Sequence, residues 1–269
     1  MRNLPSGLNA VIAQGRVLFG IAIVVYGVEN LFCGHLGLTV RGVPWFSTNA
    51  AVAYITAFVL ILAGLSLISR IQAYATAVFL GVLFLFYTFI EVPVVFAKPM
   101  SVGARTMLFE ALIMCASAFT LAATVRTTHA DANSPANKIL NRLIQSGPYL
   151  FGISAIVFGI DHFLILDFIA SLVPPWLPGH LFWAYLTGAA FVLAGLAILV
   201  KWMDQWGAFM LGVMFLLWFL ILHSPRVVKA FLTHNPNLQN EVSSAFIALA
   251  VCGGSWICAV YAQQRHPPD

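Results

Sequence analysis

Charge is scarce in this chain. Of its 269 residues, 13 are Lys or Arg and 9 are Asp or Glu, together 8%, against 61% hydrophobic. A soluble domain carries about a quarter charged residues, because its surface must stay wet. With a mean hydropathy of +0.93, the composition excludes a soluble globular protein, a disordered chain and a disulfide-rich secreted module. Cysteine is scarce too. Cys33, Cys115, Cys252 and Cys258 form no C-x-x-C pair and no Cys/His cluster at zinc spacing, so no metal site is expected. Cys252 and Cys258 fall on different faces of one helix and read as small apolar packing residues, which argues against a dithiol centre. There is no Walker loop, no G-x-S-x-G, no H-E-x-x-H and no G-x-G-x-x-G after a strand. Nucleotide-driven transport and standard hydrolase chemistry are therefore not expected. No basic run is present either, so no nucleic-acid partner is expected, and the net charge of +4 reflects Lys and Arg in loops.

What the chain does have is long apolar runs. A span needs about 20 mostly apolar residues to cross a bilayer. Eight stretches qualify, at 13–33, 50–69, 72–97, 105–125, 148–170, 181–200, 205–223 and 242–262. The expected fold is an all-α integral membrane protein with the lipid bilayer as its partner. Pro44, Pro99, Pro174, Pro175, Pro178, Pro225 and Pro236 fall in connections, where a missing backbone donor can be solvated, and Pro93 should loosen the end of the third span. The first stretch is too long for a signal peptide and recurs inside the chain, so it is expected to be retained. The 22 Phe, 7 Trp and 7 Tyr read as lipid-facing and packing residues. Eight Lys/Arg fall on the side of the termini and five (Arg41, Lys98, Arg105, Arg226, Lys229) on the other. That bias favours cytoplasmic termini.

The run of spans repeats. Gly15–Cys33 and Gly147–Ile165 share 7 of 19 positions at an offset of 132. Ala53–Ser69 and Ala184–Val200 share 7 of 17 at an offset of 131, and Leu80–Ile90 and Leu211–Ile221 share 6 of 11. A nearly constant offset through three spans indicates duplication. Four spans per copy make the copies parallel, with a pseudo-twofold axis along the membrane normal. The reading is two four-helix repeats, 1–125 and 148–269, joined by a cytoplasmic linker at 126–147.

Each unit resembles the DoxX-like family of four-span bacterial membrane proteins. The resemblance rests on Arg16-x-x-x-Gly20 with Gly27 before a polar pair, a Pro-containing loop after the first span, and Ala63-Gly64-Leu65. The second copy repeats Gly152, Gly159 and Ala194-Gly195-Leu196, with Pro148 in place of the arginine. The resemblance implies a helical bundle in the bacterial inner membrane. It also implies association with a quinone- or thiol-linked oxidoreductase, and hence a membrane or periplasmic redox subunit as partner.

An ionisable group at membrane depth costs about 2.5–3.5 kcal/mol on insertion scales and needs a reason. Glu29, Glu91, Glu110, Asp161, His162 and His223 all fall in the outer third of their spans, where Asp161 aligns with Glu29 and Asn30 with His162. These seven residues are the candidates for ligand binding or proton relay, roofed by loops 34–49 and 171–180 with Trp45 and Trp176. Arg41 and Arg105 are candidate ion-pair partners for the glutamates. Asp161 and His162 are neighbours and point about 100° apart, so they should not face one small ligand squarely. His162 and His223 could supply two haem ligands, though nothing else in the sequence supports haem. A quinone would exchange protons with a buried carboxyl and imidazole. Two alternatives stand beside a redox role. The layer could be a polar tie between helices in a scaffold that binds lipid or a partner, or the core of a small-molecule transporter.

Overall fold

A computed structural model describes residues 4–36, 47–125 and 135–265. Among these, eight helices are long and apolar enough to cross a membrane. They are α1 (Ser6–Cys33), α2 (Ala50–Ser69), α3 (Ala73–Ala97), α4 (Val102–Thr124), α5 (Ala136–Leu164), α6 (His180–Val200), α7 (Asp204–Leu232) and α8 (Leu238–Arg265). No strand occurs among the described residues. Phe32, Ile55, Phe58, Leu62, Phe89, Phe182 and Leu193 are each more than half exposed. An apolar surface of that extent is stable against lipid and a liability in water. The protein is an all-α integral membrane protein.

The bundle is built outward from α4 and α8. Of the most apolar window of α8, 78% is buried, and of α4, 61%, against 28–44% for the other six. These two helices can sit at the centre because their sequences are small-residued: Ala111, Cys115, Ala116, Ala118 and Ala122 on one, Ala248, Cys252, Gly253, Gly254 and Ala259 on the other. Without a hydrophobic drive between helices in lipid, close backbone approach provides the packing. A Cβ on Gly254 would stand 2.1 Å from Ser117 Oγ, and one on Gly253 would stand 2.6 Å from the Gly15 carbonyl oxygen. α1 and α5 pack on this pair, α1 against α8 and α5 against α4, and α2, α3, α6 and α7 form the lipid-facing layer. The α1–α2 and α5–α6 crossings use glycine pairs at matching positions. Gly64 lies against the Gly20 carbonyl and Gly195 against that of Gly152, each leaving a Cβ only 2.6 Å from that oxygen.

Two tight hairpins turn on left-handed residues, Arg70 (φ 63°) with Gln72 (φ 53°), and Lys201 (φ 58°) with Met203 (φ 52°). They mark what is called here the proximal end of the bundle. The opposite, distal end carries the first turns of α4, α6 and α8 and the last turns of α1, α3, α5 and α7. Asn49 caps α2 by accepting from the Val52 amide at 3.2 Å, and Ser101 caps α4 by accepting from the Ala104 amide at 3.2 Å.

Helix ends differ most from the sequence reading in the fifth and seventh spans. The fifth helix begins at Pro135, within the stretch read as linker, and stops at Leu164 instead of 170; Ile165 breaks it (φ −122°, ψ 41°) and a short helix resumes at Leu166–Leu172. Pro148 is accommodated inside it. The seventh span does not end at His223. A π-helical turn, Phe219–His223, leads into a further helix, Ser224–Leu232, so Pro225 is in a helix and not in a connection. Proline is tolerated in a first helical turn, where its donor would be spare, and the wide turn is closed by Ser224 Oγ donating to the Phe219 carbonyl at 2.7 Å. Pro44, Arg41 and Trp45 lie outside the described residues.

Candidate functional site in the distal half of the bundle

Breaking α5 at Ile165 and widening α7 at 219–223 leave space between helices at one level. Two adjoining cavities fill it, sharing Glu110, His162, Ile169, Ser244 and Ile247. The first, about 590 Å³, lies between α4, α5 and α8 and adds Thr106, Asp161, Asn240 and Ser243. The second, about 280 Å³, runs among α5, α6, α7 and α8 and is walled by Trp183, Phe191, Phe215 and Trp218, with His223 and Thr187 as further polar groups.

Ion pairs frame this space. Asp161 Oδ1 on α5 accepts from Arg105 Nε at 3.0 Å and from its terminal nitrogen at 2.5 Å on α4. Arg105 also donates to the Pro99 carbonyl at 3.3 Å. The Asp161 side chain is only 5% exposed, and Oδ2 is buried with no hydrogen-bond partner among the described residues. Arg105 was expected to meet a glutamate; its ion-pair partner among the described residues is this aspartate, because α4 packs on α5. A second tie is made by Glu29 on α1, which accepts from the Ser243 hydroxyl on α8. At the rim, Arg226 and Glu241 form a two-pronged pair at 2.7 Å in both contacts.

The histidines have defined roles. His162 Nδ1 lies 2.7 Å from the Phe158 carbonyl, which can only accept, so Nδ1 carries the proton in the neutral ring and Nε2 is its acceptor. The ring rests 5.0 Å from Phe191. His223 Nδ1 is buried with no hydrogen-bond partner among the described residues. Trp183 Nε1 donates to the Pro178 carbonyl at 3.1 Å and its ring meets Trp218 edge-on at 6.1 Å, while Phe191 meets Phe215 at 5.2 Å. The second cavity is thus an aromatic slot with imidazole at two places on its wall.

Of the residues expected to share a polar layer, Glu110, Asp161, His162 and His223 line this space, whereas Glu29, Asn30 and Glu91 line neither cavity. Those three are buried, Glu91 completely. Asp161 and His162 do border one cavity despite their angular separation, because it is wide enough to wrap around that side of α5. Ser243, Ser244, Asn240, Thr187, Trp183 and Trp218 were not anticipated. The only signal for them was polarity in the first turn of α8 and aromatic residues at helix ends. Arg41 cannot be assigned a partner, since it is outside the described residues. Comparison with family models, curated proteins and solved structures gives no match.

Proposed function

We propose that the protein is the membrane component of an oxidoreductase system and holds a quinone-type ligand in the distal cavities. One observation carries this reading. The cavity of about 280 Å³ is walled by Trp183, Phe191, Phe215 and Trp218, yet it presents His162, His223 and Glu110. That volume is just below the usual range of small-molecule sites, roughly 300–1,000 Å³, and suits one six-membered ring with substituents. Aromatic walls offer such a ring edge and face contacts, and imidazoles at its rim supply donors to its carbonyl oxygens or acceptors for its hydroxyls. Oxidising a quinol releases two electrons and two protons. His162, His223 and Glu110 would hold the protons, and a membrane or periplasmic redox subunit would take the electrons. The thiol-linked variant has less support, because Cys115, Cys252 and Cys258 are buried and Cys33 stands alone.

The same reading takes the chain as two parallel DoxX-like units, 1–125 and 148–269, in a bacterial inner membrane with both termini cytoplasmic. Support for the duplication comes from the paired glycine crossings and from two hairpins with left-handed residues at the same offset. The test is titration with a short-chain benzoquinone, followed by tryptophan fluorescence. His162→Phe and His223→Phe should each weaken binding by about tenfold, the worth of one lost hydrogen bond. Equal affinity in both variants and the parent would contradict the reading.

A further inference from the structure

The proximal end holds another cavity, of about 640 Å³, between α1, α3, α4 and α8. Its walls are largely apolar, including Ile12, Leu121, Ile257 and Val260, but Arg16 and Arg70 both line it and, among the described residues, no acidic side chain does. Arg16 spends one N–H on the Ile68 carbonyl at 3.0 Å. Among the described residues neither arginine is in an ion pair. The two guanidinium groups are within electrostatic reach of each other. Two like charges held beside an apolar cavity repel, and an anion between them removes that cost.

A second corner of the bundle, built on the other tight hairpin, is the natural control. Lys201 and Met203 have the same left-handed backbone as Arg70 and Gln72, so the turn itself does not distinguish the two corners. Their contents do. At the second corner Pro148 stands where α1 has Arg16, Lys201 lies 5.1 Å over the Tyr149 ring, and Asp204 meets Arg265 at 3.7 Å. The space left is about 10 Å³. One corner is filled and its charges answered; the other is open and doubly cationic.

We propose that the open corner binds a phosphate group, that of an anionic phospholipid, with Arg16 and Arg70 on the phosphodiester oxygens and the apolar walls against the acyl chains. Basic pockets between spanning helices on the cation-rich side of a membrane protein are suited to such headgroups. The site is at the opposite end from the distal cavities and does not depend on what those bind.

Delipidated protein in neutral detergent tests this by native mass spectrometry and thermal unfolding, with phosphatidylglycerol, phosphatidylcholine and inorganic phosphate as probes. Arg70→Gln removes an exposed side chain with no hydrogen bond among the described residues, and Arg16→Gln retains a donor for the Ile68 carbonyl. Each should weaken phosphatidylglycerol binding about fivefold, and the double variant about 25-fold. Phosphatidylcholine should bind the parent no better than phosphatidylglycerol binds the double variant. Should Arg16→Gln fail to fold, Arg70→Gln alone decides. Equal phosphatidylglycerol affinity in parent and variants, or equal binding of the two lipids, would overturn the site. Stabilisation by inorganic phosphate matching that by phosphatidylglycerol would overturn the lipid as its source.

Discussion

Neutralising either partner of the Arg105–Asp161 pair should destabilise the protein, and by unequal amounts. Asp161 is 5% exposed and Arg105 22%. Arg105→Gln strands a carboxylate whose Oδ1 takes both bonds from that arginine and whose Oδ2 already has no partner among the described residues. Removing one member of a buried pair costs about 3–5 kcal/mol, because the remaining charge stays buried. Asp161→Asn is milder. Arg105 keeps the Pro99 carbonyl and its partial access to solvent, and the new amide oxygen still accepts, so about 1–2 kcal/mol is expected. Asp161→Leu, which offers no acceptor, should cost more than Asp161→Asn. In the double variant Arg105→Gln/Asp161→Asn no charge is buried, and the cost should fall short of the sum of the singles by about 2 kcal/mol or more. Unfolding in mixed micelles, read by tryptophan fluorescence, gives all four values. Equal costs for Arg105→Gln and Asp161→Asn, or additivity of these two within about 0.5 kcal/mol, would contradict this.

Other expectations follow from contacts of different kinds. Gly64→Ala and Gly195→Ala each place a Cβ 2.6 Å from a backbone oxygen, so each should lose about 1–3 kcal/mol in the same unfolding assay. An unchanged midpoint would mean the helix crossings are loose. Ser243→Ala removes a donor from buried Glu29 and should cost about 1–3 kcal/mol; no loss would mean that bond is dispensable. Glu241→Gln, by contrast, should cost under about 1 kcal/mol despite its two-pronged geometry, because Arg226 is 41% exposed and water can replace the carboxylate. A larger loss would show that the rim pair is shielded by lipid.

Hydropathy made the eight spans legible, because backbone groups in lipid must be satisfied within the helix and only long apolar runs can do it. The ends of two spans were not. Residues 136–147 and 224–232 are too polar to register as membrane segments, and Pro225 read as part of a connection. The 224–232 helix is completed by first-turn tolerance of Pro225 and by a π-helical turn, neither of which has a hydropathy signature, whereas Pro148 stands in a helix interior. Around the distal cavities, charges stood out against apolar windows, which is how Glu110, Asp161, His162 and His223 came to be candidates. Their partners were not, because spacing along one helix says nothing of which neighbour it faces. Ser243 illustrates the point. A serine in a spanning helix ordinarily bonds its own backbone, as Ser117 and Ser154 do with carbonyls four residues back. Only the packing of α1 on α8 brings Ser243 to Glu29.

The most direct measurement is native mass spectrometry of the protein released gently from its own membrane. The expected result is a retained mass matching a quinone, lost from the His162→Phe/His223→Phe double variant while the fold persists. A chain that carries only phospholipid, in parent and variant alike, would contradict a quinone-type ligand in the distal cavities.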